Sequence, residues 1–193
     1  GSGNGADYAN PKAFSAQGSV TVNGGTFRAT TRNDGGEGLE SKNILTINGG
    51  DLEITSYDDC LNAASNITIN GGRTYCYSSG NDAIDSNGNL AINGGLIIAS
   101  GTTAPEEGFD CDQNNFAIQG SVMVGTGGAS SSPTAASCTQ RSVLYKATGS
   151  SGTVVQVKSA TESVLVYRLP RTYSGGGGGG STASMTMLFS VPA

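Results

Sequence analysis

Carboxylates recur at near-constant intervals in this chain. Glu37-Gly38-Leu39-Glu40, Asp59-Cys60-Leu61-Asn62, Asp82-Ala83-Ile84-Asp85 and Glu107-Gly108-Phe109-Asp110 share one pattern: an acid, a small residue, an apolar residue, then an acid or amide. Stacked in register, Glu37, Asp59, Asp82 and Glu107 make one outward column, and Glu40, Asn62, Asp85 and Asp110 a second. Asp34, Asp58, Glu106 and Asp112 lie nearby in sequence. Carboxylates one repeat apart repel by roughly 1 kcal/mol in water and by several at lower effective dielectric. Several such pairs would strain a marginally stable fold unless a cation sits between them. Calcium suits the task, since it takes six to eight hard oxygen ligands at about 2.3–2.6 Å in flexible geometry. The expected ligands are therefore Glu37, Glu40, Asp59, Asn62, Asp82, Asp85, Glu107 and Asp110, and the expected ion is Ca2+. The competing reading is a solvated acidic edge with its side chains splayed into water.

Other chemistry finds less support. The chain has no His, which removes histidine catalysis and His-ligated zinc. No Ser, Cys or Lys stands beside an identifiable base, so nucleophilic catalysis has no candidate. A calcium-assisted polysaccharide lyase would need a Lys or Arg base; Lys12, Lys42 and Arg73 are the ones near the acids, and none is convincingly placed. The ten Lys and Arg residues are scattered and the net charge is −5, which speaks against nucleic acid. Such a surface suits cations, neutral polymers, or acidic polymers bridged by cations. Tyr57, Tyr75 and Tyr77 offer flat faces to sugar rings, though strand tyrosines also serve as surface packing. Cys76 reads as a buried free thiol, while Cys111 and Cys138 lie 27 residues apart, about one repeat, a spacing open to a disulfide. No apolar run is long enough to span a bilayer. The start at Gly1-Ser2-Gly3 carries no visible signal peptide and reads as a mature or trimmed terminus. The Gly, Ser, Thr and Asn content suggests a secreted or cell-surface protein.

The elements that would position the acids follow from the repeat. A weaker copy, Lys12-Ala13-Phe14-Ser15, precedes the others, and Asn23, Asn48, Asn70, Asn93 and Gln119 anchor five copies at periods of 25, 22, 23 and 26 residues. Before each anchor, apolar residues alternate with polar ones, as in Leu45/Ile47 and Ile67/Ile69, the mark of a half-buried strand. A Gly-Gly turn then leads into a second alternating strand, as in Leu52/Ile54 and Ile97/Ala99. Phe14, Leu39, Leu61, Ile84 and Phe109 read as one buried corner residue per repeat. No repeat buries this set alone, and parallel stacking at about 4.8 Å per coil makes a continuous core. The expected architecture is an all-β, right-handed parallel β-helix of about five to six coils with a C-terminal β-cap. Residues 1–11 form an extended lead-in, 12–148 the coils, with Arg141–Tyr145 in an irregular sixth, and 149–193 the cap, including a Gly-rich loop at 175–180. Leu96/Ile98 and Val122/Val124 point outward and need covering, by the C-terminal strands or by a partner subunit.

The unit ending in Ile-Thr-Ile-Asn-Gly-Gly resembles the calcium-binding β-helix family of bacterial carbohydrate-binding domains, related in shape to pectate lyases. Thr139-Gln140-Arg141-Ser142-Val143-Leu144 and Met187-Leu188-Phe189-Ser190 also look like that family's C-terminal end. The resemblance implies a non-catalytic, secreted or surface protein that binds cellulose or acidic plant or bacterial polysaccharides, with calcium between coils at the acid positions above. Lys12 and Ser15 depart from the acid pattern, so no calcium is expected in the first coil. The alternative is a structural subunit of an extracellular filament or adhesin, a homo-oligomer stacked head to tail through open β-helix ends.

Overall fold

The computed structural model describes residues 11–158, 163–174 and 185–192. Most of the lead-in and the Gly175–Gly180 loop lie outside the described residues. Five coils stack, each with three strands. They are β1 (Phe14–Ala16), β2 (Val20–Val22) and β3 (Thr26–Thr30); then β4 (Leu39–Ser41), β5 (Leu45–Ile47) and β6 (Asp51–Ser56). The third coil holds β7 (Leu61–Ala63), β8 (Ile67–Ile69) and β9 (Arg73–Ser78), and the fourth β10 (Ile84–Ser86), β11 (Leu90–Ile92) and β12 (Gly95–Ser100). The fifth adds β13 (Phe109–Cys111), β14 (Phe116–Ile118) and β15 (Ser121–Gly127). Like strands pair in parallel into three sheets, so the chain is a parallel β-solenoid of about five turns.

The first sheet differs from expectation. Phe14, Leu39, Leu61, Ile84 and Phe109 are not lone corners; each opens a three-residue strand paired in register with its neighbours. Three residues are too few to display a two-residue period, so this strand leaves no alternation in the sequence.

Inward side chains stack as columns of like residues, which keeps packing uniform from coil to coil. Leu45, Ile67, Leu90 and Phe116 make one column and Ile47, Ile69, Ile92 and Ile118 another, all fully buried. Volume is traded where the column changes: Gly125 faces the Phe109 ring, and a Cβ there would lie 2.3 Å from Phe109 Cε2. Outside the turns, an amide ladder runs Asn93→Asn70→Asn48→Asn23, each Nδ2 donating to the next Oδ1 at 2.8–2.9 Å.

The C-terminal end departs from a simple sixth coil. Besides β16 (Ser142–Ala147), β17 (Val154–Lys158) and β18 (Ser163–Arg168), the chain ends on β19 (Met185–Ser190). This last strand, not Arg141–Tyr145, takes the place beside β15, and it runs antiparallel; β16 then pairs with the far side of β19. Reversing strand direction ends the parallel stack and covers an otherwise open edge. The β17–β18 hairpin lies over the outer face of the third sheet. Tyr167, Leu169 and Tyr173 bury Val124 together with Met185 and Met187, and Ile98, Val155 and Leu165 pack at the margin. The chain itself thus covers Ile98 and Val124, while Leu96 stays exposed.

Candidate metal centre

The outward middle residues of the first sheet are Ser15, Glu40, Asn62, Asp85 and Asp110, direct register partners along the stack. Three residues upstream stand Lys12, Glu37, Asp59, Asp82 and Glu107. Backbone bonds such as Gly38 N–H to Asp59 O (2.9 Å) and Ala83 N–H to Glu107 O (3.1 Å) hold those turns in step. The small residue between the two columns is required by space: a Cβ on Gly38 would come within 2.3 Å of Ile54 Cγ2. Cys60 fits the slot by turning its thiol to Ser56 Oγ at 2.9 Å.

The stacked acids fall into three levels with different charge balance. At the lowest, Lys12 Nζ lies 2.5 Å from Glu37 Oε1 and 3.8 Å from Glu40 Oε1. Ser15 Oγ donates to Glu40 Oε2 at 2.5 Å, and Lys42 also pairs with Glu40. Burial pushes Glu37 up to about 7 against the pull of Lys12. Burial also raises Glu40, but the hydrogen bonds from Lys42 and Ser15 outweigh it and leave Glu40 below its ordinary value. This level carries its own cations.

At the middle level an amide separates the acids. Asn62 Nδ2 donates to Asp59 Oδ2 at 2.9 Å and to Asp85 Oδ2 at 3.1 Å. Asp59 Oδ1 accepts from Asp82 N–H at 3.2 Å. Burial lifts Asp59 to about 6, moderated by the Asn62 bond.

In the upper level the amide reaches Asp85 alone. Asp82, Asp85, Glu107 and Asp110 form no ion pair with Lys or Arg among the described residues. Burial, then the charges of Asp59 and Asp110, pushes Asp82 and Asp85 up to about 8. Burial and the Asp110 charge push Glu107 up to about 7, and burial with Asp112 raises Asp110. Besides the Asn62 amide on Asp85, the relief at Asp82, Glu107 and Asp110 comes from backbone and hydroxyl donors. Glu107 N–H donates to Asp82 Oδ1, Ser131 N–H to Glu107 Oε2, and Ser131 Oγ to Asp110 Oδ1 at 3.3 Å.

Among the described residues, no group of three or more His, Cys, Asp or Glu side chains converges as a metal cage. The upper level nonetheless gathers four carboxylates of raised proton affinity, with no Lys or Arg ion pair among the described residues. Asn62 faces its neighbours through N–H and not through oxygen, so it stands there as a bridge between acids. Ser131 went unrecognised in the repeat pattern, and Lys42, weighed there as a base, instead pairs with Glu40. Ser131 lies in a Ser-rich run after the repeats, where no periodicity marks it, and Lys42 falls two residues beyond the recurring unit.

The remaining chemical residues are placed as follows. All four cysteines are free, so Cys111 and Cys138 are not bridged; their thiols point to Gly88 O and Phe116 O. Tyr77 lies beneath Arg171, whose Cζ is 4.4 Å from the ring centroid. Tyr75 is half-buried and Tyr57 is exposed. Arg73 pairs with Asp51 on the third sheet, away from the acid columns.

A family described as carbohydrate-binding domain-containing protein matches residues 2–83, less than half of the chain. The match takes in Glu37, Glu40, Asp59, Asn62 and Asp82 and ends before Asp85, Glu107 and Asp110. No curated protein and no solved structure matches the chain. No helix among the described residues is long and apolar enough to cross a membrane.

Proposed function

We propose that this protein is an extracellular, non-catalytic carbohydrate-binding β-helix that holds calcium between its coils. The observation that carries the reading is the upper acid level: Asp82, Asp85, Glu107 and Asp110 stand in adjacent coils, with proton affinities raised by burial and mutual repulsion. The match of residues 2–83 to a carbohydrate-binding family supports the glycan half. Bound there, calcium would neutralise the stacked acids and present open coordination positions to the uronate groups of an acidic polysaccharide. The protein's own residues hold the carboxylates in register, and the Lys12–Glu37 pair closes the lower end to a further ion.

The test is calorimetric titration with polygalacturonate alongside thermal melting, each with calcium and with chelator. Chelation is expected to lower the melting temperature and weaken binding. An unchanged melt removes the calcium half; absence of binding to both polygalacturonate and cellulose removes the carbohydrate half. A second reading, a head-to-tail filament subunit, is favoured by the first coil, where β1, β2 and β3 have no strand neighbour on their outer side among the described residues and Phe14 is 45% exposed. Monodisperse monomers in concentrated solution, measured by light scattering, would argue against it.

A further inference from the structure

The third sheet carries a feature that the acid edge does not use. On its outer face, Thr26, Asp51, Arg73 and Leu96 form one row and Arg28, Glu53, Tyr75 and Ile98 the next. The charges pair off within the face. Arg28 Nε donates to Glu53 Oε2 at 3.1 Å, Arg73 Nε donates to Asp51 Oδ1 at 2.9 Å, and Arg28 also lies 3.8 Å from Asp51. Two cations and two anions cancel, leaving planar hydrogen-bonding groups with little net field.

Beside this ladder runs a groove. A hollow of about 180 Å³ on β3 and β6 shares Glu53 and Thr55 with a larger one of about 410 Å³. The larger is lined chiefly by Glu53, Thr55, Arg73, Tyr75, Leu96 and Ile98, and its size falls within the range of ligand sites. Four strands at about 4.8 Å spacing make the combined groove roughly 14 Å long, running across the strands. Its two halves differ. The β3–β6 half is polar; the β9–β12 half presents the half-buried Tyr75 ring with exposed Leu96 and the edge of Ile98 that the hairpin leaves free. The β17–β18 hairpin packs against Ile98 and walls off that end.

This combination suits a pyranose chain. Sugar rings have apolar faces that settle on aromatic and aliphatic side chains, and hydroxyl rims that pair with guanidinium and carboxylate groups. A face whose charges cancel neither attracts nor repels an acidic polymer strongly, since complementarity of field is what selects a charged partner. We infer that this groove binds a linear neutral polysaccharide, laid along the solenoid on a different sheet from the acid columns. The inference rests on the carbohydrate-binding reading and gives it a second, calcium-independent site.

Calorimetry with cellohexaose as probe, in parallel with polygalacturonate, tests it. The wild type binds cellohexaose, and polygalacturonate does not displace it. Tyr75→Ala weakens cellohexaose binding by roughly tenfold or more, as removal of an aromatic anchor does. Tyr75→Phe keeps it, and Leu96→Asp, which adds an unpaired charge at an exposed position, abolishes it. Both weakened variants retain polygalacturonate affinity, which shows that they still fold. Unchanged cellohexaose affinity in Tyr75→Ala and Leu96→Asp overturns the groove. Binding of polygalacturonate but not cellohexaose overturns the groove and leaves the acid edge standing. Failure to bind either glycan overturns the carbohydrate reading itself.

Discussion

Asp85 and Asp110 are direct register partners on β10 and β13, two carboxylates facing outward from adjacent parallel strands. Parallel pairing sets them one coil apart, and no Lys or Arg pairs with either among the described residues. Their repulsion is built into the register: it cannot be relieved by sliding one strand without moving Ile84 and Phe109 out of the core.

The cost of that arrangement depends on pH. Asp59 is raised to about 6, Glu107 to about 7, and Asp82 and Asp85 to about 8, from ordinary values of 3.8 for Asp and 4.5 for Glu. The folded chain therefore binds more protons than the unfolded chain between about pH 4 and pH 8, and stability falls as pH rises through that window. With chelator present, the melting temperature is expected to be higher at pH 5 than at pH 8. Calcium is expected to close the gap at pH 8 by binding the folded state, and Asp85→Asn to narrow it without calcium. A metal-free melting temperature that climbs from pH 5 to pH 8 would contradict the charge balance described here.

Asn62 is the neutral member of its column, and its amide bridges Asp59 and Asp85. Asn62→Asp removes both bonds and adds a like charge. In chelator at pH 8 it is expected to destabilise by about 1–3 kcal/mol, the range for breaking hydrogen bonds to partly buried charged groups. The loss should shrink when calcium is added. Chemical denaturation at both conditions measures the difference.

Gly25 and Gly72 are equivalent turn residues with nearly equal φ, +86° and +87°. A Cβ at Gly25 meets nothing within 4 Å, whereas at Gly72 it would lie 2.5 Å from Gly50 O. Gly25→Ala is expected to cost about 1–2 kcal/mol for the left-handed backbone alone. Gly72→Ala should cost clearly more, because the backbone of the preceding coil cannot move aside cheaply. Urea melts of the two variants separate strain from clash.

Tyr173 is fully buried and ties the C-terminal cap to the coils. Its hydroxyl donates to Gly101 O at 2.9 Å and lies 3.2 Å from both Ser100 Oγ and Thr126 Oγ1. Tyr173→Phe leaves Gly101 O without this donor and is expected to cost about 1–3 kcal/mol. Faster amide exchange in β17, β18 and β19 than in β7 to β12 would show that the cap loosens first.

Much of the architecture was legible because solenoid repeats write their register into the chain. Leu45, Ile67 and Leu90 recur at matched positions only if their strands stack, so the repeat implies parallel sheets before any coordinate is known. The alignment of Glu40, Asn62, Asp85 and Asp110 follows from the same register. The three-residue strands of the first sheet were hidden, being too short for a visible period. Ser131 was hidden for another reason: it reaches Glu107 and Asp110 from a segment after the repeats that carries none of their sequence pattern.

By itself the sequence determined the stacking, the inward columns and which acids share an edge, because all three depend on spacing within one repeating unit. Tertiary structure decided how charge is distributed along that edge: lysines at Glu37 and Glu40, an amide between Asp59 and Asp85, and only backbone N–H and hydroxyl donors at Asp82, Glu107 and Asp110. It also decided that β19 and not Arg141–Tyr145 completes the third sheet, and that the hairpin covers Ile98 and Val124 but leaves Leu96 beside a groove. These outcomes depend on where distant segments and long side chains settle in space. A local period carries no information about that.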